Sequence, residues 1–162
     1  MHTEIVFATG RDEEELQALF TACGMGLAGD IDEHMLIKQD HKIIAGAMLS
    51  QVDDHQFHLL VFAVSADARN QGTGRQLLQE LLRRPGHYCR PEFGGHSAQP
   101  YQVTTVAKGA AARFYEKNGF AACDFSALAY PYDRQCEACP EKTACQPVAM
   151  MFTRPAELLA AE

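Results

Sequence analysis

The chain has no apolar run approaching the ~20 residues that a helix needs to cross a bilayer. Its first residues also lack the apolar stretch of a signal peptide, because a short β-like segment gives way at once to Arg11-Asp12-Glu13-Glu14-Glu15. These two absences lead to the expectation of a cytoplasmic protein without a membrane partner. Positive charge is scarce as well. Only 14 Lys and Arg stand against 21 Asp and Glu, a formal net charge of −7. A nucleic-acid partner needs a basic face and is therefore not expected. Six cysteines in 162 residues are too few for a disulfide scaffold. Internal repeats and low-complexity tracts are missing too. What is present, 47% hydrophobic and 22% charged residues at a common single-domain length, suits one compact domain over residues 1–162.

Strand-like and helix-like segments follow one another along the chain. Thr3 to Ala8 alternates as a first strand, and Asp12 to Phe20 is an acid-started amphipathic helix with Leu16, Leu19 and Phe20 on one face. Strands are expected from His34 to Lys38 and from Lys42 to Gln51, joined by a turn at Gln39-Asp40-His41. The next strand, Gln56 to Val64, carries the nearly unbroken apolar run Leu59 to Val64, which suits a central strand buried on both faces. A helix over residues 73–84 ends before Pro85, and residues 85–100 form a long Gly/Pro/His-containing connection. A strand over Tyr101 to Val106 then precedes a helix at Ala111 to Asn118.

Between the central strand and the following helix lies Ser65-Ala66-Asp67-Ala68-Arg69-Asn70-Gln71-Gly72-Thr73-Gly74-Arg75. Glycines at 72 and 74 let backbone N–H groups crowd round a phosphate without Cβ interference. The helix behind them brings unpaired N–H donors and a partial positive charge. Arg69 and Arg75 add two permanent cations suited to phosphate oxygens. The segment therefore reads as a pyrophosphate seat. It is neither a dinucleotide fingerprint, because Leu77 stands where a third glycine is required, nor a nucleoside-triphosphatase loop, because the terminal Gly-Lys-Ser/Thr is missing.

Arg69-x-x-Gly72-x-Gly74 after an Ala63-Val64 strand end resembles the coenzyme A pyrophosphate loop of the GNAT N-acetyltransferase superfamily. Ala111-Ala112-Arg113-Phe114-Tyr115-Glu116-Lys117-Asn118-Gly119-Phe120 is similar to the family's other signature. There Gly119 is placed to stop the helix at positive φ, and Lys117 sits near its negative end. The resemblance covers roughly residues 2–128 and resumes at 148–154. It implies an α/β (α+β) fold whose mixed, mostly antiparallel central sheet is splayed at its middle, with helices on both faces. The splay would admit coenzyme A between the strand ending at Val64 and the strand ending near Val106.

The activity so implied is acetyl transfer from acetyl-CoA to a primary amine of a small molecule or protein. Two alternatives remain on the same fold: a non-catalytic acyl-CoA sensor, and a metal- or redox-responsive regulatory module. By the resemblance, backbone groups of Phe62 and Val64 pair with the pantetheine arm as another strand would, and the Val64 N–H meets the oxyanion. Arg69, Asn70, Gln71, Gly72, Thr73, Gly74 and Arg75 would form the pyrophosphate loop. Tyr115 maps to the general acid beside the thioester sulfur, a suitable donor because a phenol's reference pKa is near 10. The position of the family's strand carboxylate base holds His58, whose reference pKa of about 6.5 suits proton abstraction near neutrality. A locally satisfied strand histidine, with water as the base, is the competing reading. His55, three residues earlier, would face the other way along a strand. Lys108 replaces the asparagine the family often carries, which removes the usual side-chain contact to pantetheine but offers a cation to phosphate.

Cys136-x2-Cys139-x5-Cys145 lies in an insertion at about 130–147. Such spacing permits a thiolate metal site, with zinc or an iron–sulfur cluster as occupant, and equally permits free thiols or a redox disulfide. The insertion has few apolar side chains beyond Tyr130 and Tyr132, so metal bonds would be one source of order. The family topology brings Cys23 closest as a fourth ligand.

Overall fold

A computed structural model describes residues 4–89, 100–140 and 142–154. The contacts divide the chain into two compact units, Met1–Gln51 with Leu59–Gly95 and Val52–His58 with His96–Glu162.

The first unit holds β1 (Ile5–Phe7), α1 (Glu13–Ala22), β2 (His34–Gln39), most of β3 (Lys42–Asp53), β4 (Gln56–Val64) from Leu59 onward, and α2 (Thr73–Arg83). Its strands lie in chain order, with β1–β2 and β2–β3 antiparallel. The turn between β2 and β3 is tighter than the sequence suggested. Gln39 still pairs with Lys42, which leaves only Asp40 and His41 to reverse the chain, both at positive φ (53° and 67°). Left-handed residues in a two-residue hairpin match the twist of the strands they join. The core gathers Leu16 and Phe20 of α1 against Leu36, Ile43, Met48, Val61 and Ala63, with Leu19 partly buried beside them. Gly46 lets α1 pack closely on β3: a Cβ there would stand 2.5 Å from Leu16 Cδ1, and the buried Leu16 side chain would have to shift. Leu77, Leu78, Leu81 and Leu82 form the buried stripe of α2.

The second unit contains the opening residues of β4, then β5 (Tyr101–Ala107), α3 (Ala112–Lys117), β6 (Ala121–Ala122), α4 (Lys142–Cys145) and β7 (Val148–Arg154). Here β5 lies between the start of β4 and β7, and β7 pairs with β6. Both β5–β7 and β6–β7 are antiparallel, with Val103 opposite Phe152 and Thr104 opposite Met151. The mixed α/β architecture with a mostly antiparallel seven-stranded sheet agrees with the expectation from sequence.

Helix α3 starts one residue later than expected, after a 3-10 turn at Gly109–Ala111, and stops as expected at Gly119, whose φ is 99°. Of the long connection after α2, Pro85–Tyr88 is a 3-10 turn, and the expectation for residues 90–99 lies outside the described residues. No helix among the described residues is long and apolar enough to cross a membrane.

Candidate active-site residues

In the first unit β4 delivers the chain into the glycine loop. Asn70 and Gly72 both take left-handed backbone conformations, φ 63° and 81°, and Gly72 is the N-cap of α2. Space for a Cβ is free at Gly72, so the requirement for glycine is conformational rather than steric. The first intrahelical bond runs from the Gln76 N–H to the Gly72 carbonyl at 2.9 Å. The N–H groups of Thr73, Gly74 and Arg75 therefore precede the helical ladder, the arrangement that receives an anion at a helix start. Gln71 Nε2 donates to the Asp67 carbonyl at 2.9 Å and stiffens the turn.

Arg69 does more than the sequence suggested. Its Nε–H donates to the Val64 carbonyl at 3.2 Å, and Nη2 reaches Cys23 Sγ at 3.4 Å. The Cys23 thiol also points to the Val64 carbonyl, at 3.9 Å. Cys23 thus belongs to the end of β4 and the glycine loop.

In the second unit His58 is only 1% exposed. Its Nδ1 lies 2.8 Å from Thr104 Oγ1, and the Tyr132 ring stacks on the imidazole with centroids 3.8 Å apart and planes 11° from parallel. Desolvation by burial pushes the His58 pKa down to about 4. His55 is exposed, in the turn between β3 and β4.

Tyr115 is buried among aromatic rings, edge-on to Phe114 and Phe120, with Phe120 in turn against Phe152. Burial raises the phenol's pKa, and a hydrogen bond with the Thr105 side chain opposes the rise. Thr104 and Thr105 are consecutive in β5, so their side chains leave opposite faces of the strand. His58 and Tyr115 therefore stand on opposite faces of β5 and do not converge on each other. The β5–β7 register agrees, because Phe152 is directly opposite Val103 and so shares the Thr105 face. Lys108 is exposed just beyond β5, at the N-cap of the 3-10 turn.

The metal expectation for Cys136, Cys139, Cys145 and Cys23 finds no support among the described residues. The sulfurs of Cys139 and Cys145 are near enough to raise the Cys136 thiol pKa, after burial as the larger cause. Yet among the described residues no three His, Cys, Asp or Glu side chains converge to hold a metal ion. Other contacts hold the described part of the insertion. Tyr132 packs on His58, and the 3-10 turn Tyr132–Arg134 and α4 satisfy backbone groups locally. Tyr132 and Thr104 are the residues that sequence reasoning missed. The pair Tyr130 and Tyr132 in an apolar-poor insertion was the available signal.

A family profile described as the Acetyltransferase (GNAT) domain matches residues 30–122. The chain belongs to the GNAT acetyltransferase family. The matched span contains the glycine loop, His58 and Tyr115 of this GNAT chain. Among solved structures it is similar to N-acetylglutamate synthase from Neisseria gonorrhoeae complexed with coenzyme A and N-acetyl-glutamate, at 14% identity and TM-score 0.73. That match covers 95% of this chain but 35% of the synthase, so the GNAT chain spans about a third of that relative's length. It is also similar to Ard1 from Thermoplasma volcanium, at 14% identity and TM-score 0.62 over 95% of this chain and 99% of that one. The ribosomal-protein-S18-alanine N-acetyltransferase from Escherichia coli matches at 18% identity and TM-score 0.57, over 95% of both chains. At these identities the likenesses establish the fold. None of the curated proteins matches the chain by sequence.

Proposed function

We propose that this GNAT protein transfers an acetyl group from acetyl-CoA to a primary amine of a small-molecule or protein acceptor. The observation that carries the proposal is the glycine loop, where left-handed Asn70 and Gly72 turn the chain so that the Thr73, Gly74 and Arg75 N–H groups begin α2. In this reading Arg69 to Arg75 hold the pyrophosphate, Phe62 and Val64 pair with the pantetheine arm, and Lys108 adds a cation. The three solved structures above include one complexed with coenzyme A and one named as an alanine N-acetyltransferase, which supports the same cosubstrate and an amine acceptor.

His58 is the proposed base. Burial keeps its imidazole neutral at pH 7, the state that accepts a proton from the acceptor ammonium or from the tetrahedral adduct. Tyr115 is the proposed acid, because its raised pKa keeps the phenol protonated throughout the neutral range. One observation favours the second reading, a non-catalytic acyl-CoA sensor: Tyr132 covers the imidazole that would have to meet the acceptor.

The test measures free coenzyme A released from acetyl-CoA with a panel of amines, beside calorimetric binding of acetyl-CoA. Release with at least one amine is expected. Tight binding with no release across the panel selects the sensor, and absence of binding overturns both readings.

A further inference from the structure

The imidazole of His58 has two nitrogens, and only the one without a proton can act as a base. Thr104 stands 2.8 Å from Nδ1 and 3.3 Å from the Phe57 carbonyl oxygen. A carbonyl oxygen carries no proton, so in the second contact the threonine hydroxyl must donate. A hydroxyl has a single proton. Where that proton goes to Phe57, Oγ1 has only lone pairs left for His58, and the imidazole is then the donor at Nδ1. Thr104 is itself 1% exposed, so no competing solvent reverses the assignment. The ring's remaining freedom is rotation about its bonds to the backbone. The Tyr132 ring, 11° from parallel at 3.8 Å, opposes that rotation.

We infer that Thr104 and Tyr132 are positioning residues for His58: the Thr104 hydroxyl holds the ring as its Nδ1–H tautomer, and the Tyr132 ring holds its plane, so that Nε2 carries the lone pair. The consequence for reactivity rests on the proposal that His58 is the base, whereas the tautomer itself does not. The strand pair thus provides the selection of nitrogen, and the insertion at 130–147 provides the cover. Tyr132 comes from the segment for which a metal had been the expected organiser.

Long-range proton–nitrogen NMR on protein labelled at the ring nitrogens tests this directly. The chain has seven histidines, and His58→Gln identifies the resonances of interest by their disappearance. The wild-type spectrum should show His58 protonated at Nδ1 and bare at Nε2 at pH 7. In Thr104→Val, which removes the hydroxyl and keeps the shape, the two tautomers should mix, and Thr104→Ser should restore the wild-type pattern. Tyr132→Phe should preserve the ring-current shift that the stack imposes on the His58 ring protons, and Tyr132→Leu should abolish it. A wild-type ring protonated at Nε2 overturns the inference, even where Thr104→Val fails to fold. So does a Thr104→Val spectrum that keeps the pure Nδ1–H form, or a Tyr132→Leu spectrum that keeps the shift. With a proven amine, Thr104→Val should lower kcat far more than it changes the KM for acetyl-CoA, and Thr104→Ser should recover it. If the tautomer is as stated but His58→Gln retains full turnover, the base assignment fails and the positioning stands.

Discussion

Replacing His58 by glutamine should change how the protein's stability depends on acid, by an amount the burial of the ring sets. The unfolded chain takes up a proton at His58 near pH 6.5, whereas the folded chain resists it to about pH 4. The sign follows from proton counting: between these values the unfolded state holds more protons, so stability falls as pH falls. The contribution is complete above pH 6.5 and is lost as the pH drops toward and through about 4. At 1.36 kcal/mol per tenfold change, the interval amounts to about 3 kcal/mol. His58→Gln keeps a polar group that can meet the Thr104 hydroxyl but does not titrate. Asp12 and Glu80, whose carboxyl pKa values are lowered in the folded state, also lose stabilising charge in acid, but they do so in both proteins. The difference between wild type and variant therefore isolates the histidine. Urea unfolding of each at pH 7 and pH 4 measures it: the wild type should lose about 3 kcal/mol more than the variant. Parallel losses would mean that the ring is solvated or already charged in the folded protein, and the account of a buried neutral imidazole would be wrong.

Four further outcomes are expected. Gly74→Glu should abolish acetyl-CoA binding by calorimetry while the far-UV spectrum stays unchanged, because it places bulk and negative charge at the start of α2; retained affinity removes the loop from the pyrophosphate site. Tyr115→Phe should lower turnover roughly 10²–10⁴-fold, the range of general acid catalysis, with acetyl-CoA affinity kept. A variant with full turnover takes the phenol out of the mechanism. Gly46→Val should destabilise the first unit by about 1–3 kcal/mol in urea unfolding, since it drives new atoms into Leu16 and Phe20; an unchanged midpoint would mean that α1 does not lie against β3 as described. Finally, a strong chelator should leave the melting temperature and acetyl-CoA affinity unaltered, and elemental analysis finding one equivalent of zinc or iron after anaerobic purification would reverse the reading of the cysteines.

The features legible in the sequence are those whose cause is local. Residue alternation and apolar spacing located β4 to the residue and α2 to within one, because period and helix stop are written in consecutive side chains. Gly119 was readable as a left-handed position for the same reason and adopts positive φ, whereas Gly72 was read for its lack of a Cβ and proves to be needed for its left-handed backbone. The loop and the Phe114–Tyr115 helix also carried the family, since both motifs are runs of neighbouring residues. What the tertiary structure alone decided involves partners far apart in the chain. Sequence placed Thr104 and Thr105 on one strand but could not say which meets His58 and which meets Tyr115; that depends on strand register. Cys23 matched the other cysteines in chemistry, yet packing took its sulfur to Arg69. The insertion has few apolar side chains, which pointed to metal bonds as its source of order. Composition counts side chains and not their contacts, and a single ring, Tyr132, anchors the segment by stacking on a histidine that only the fold brings beneath it.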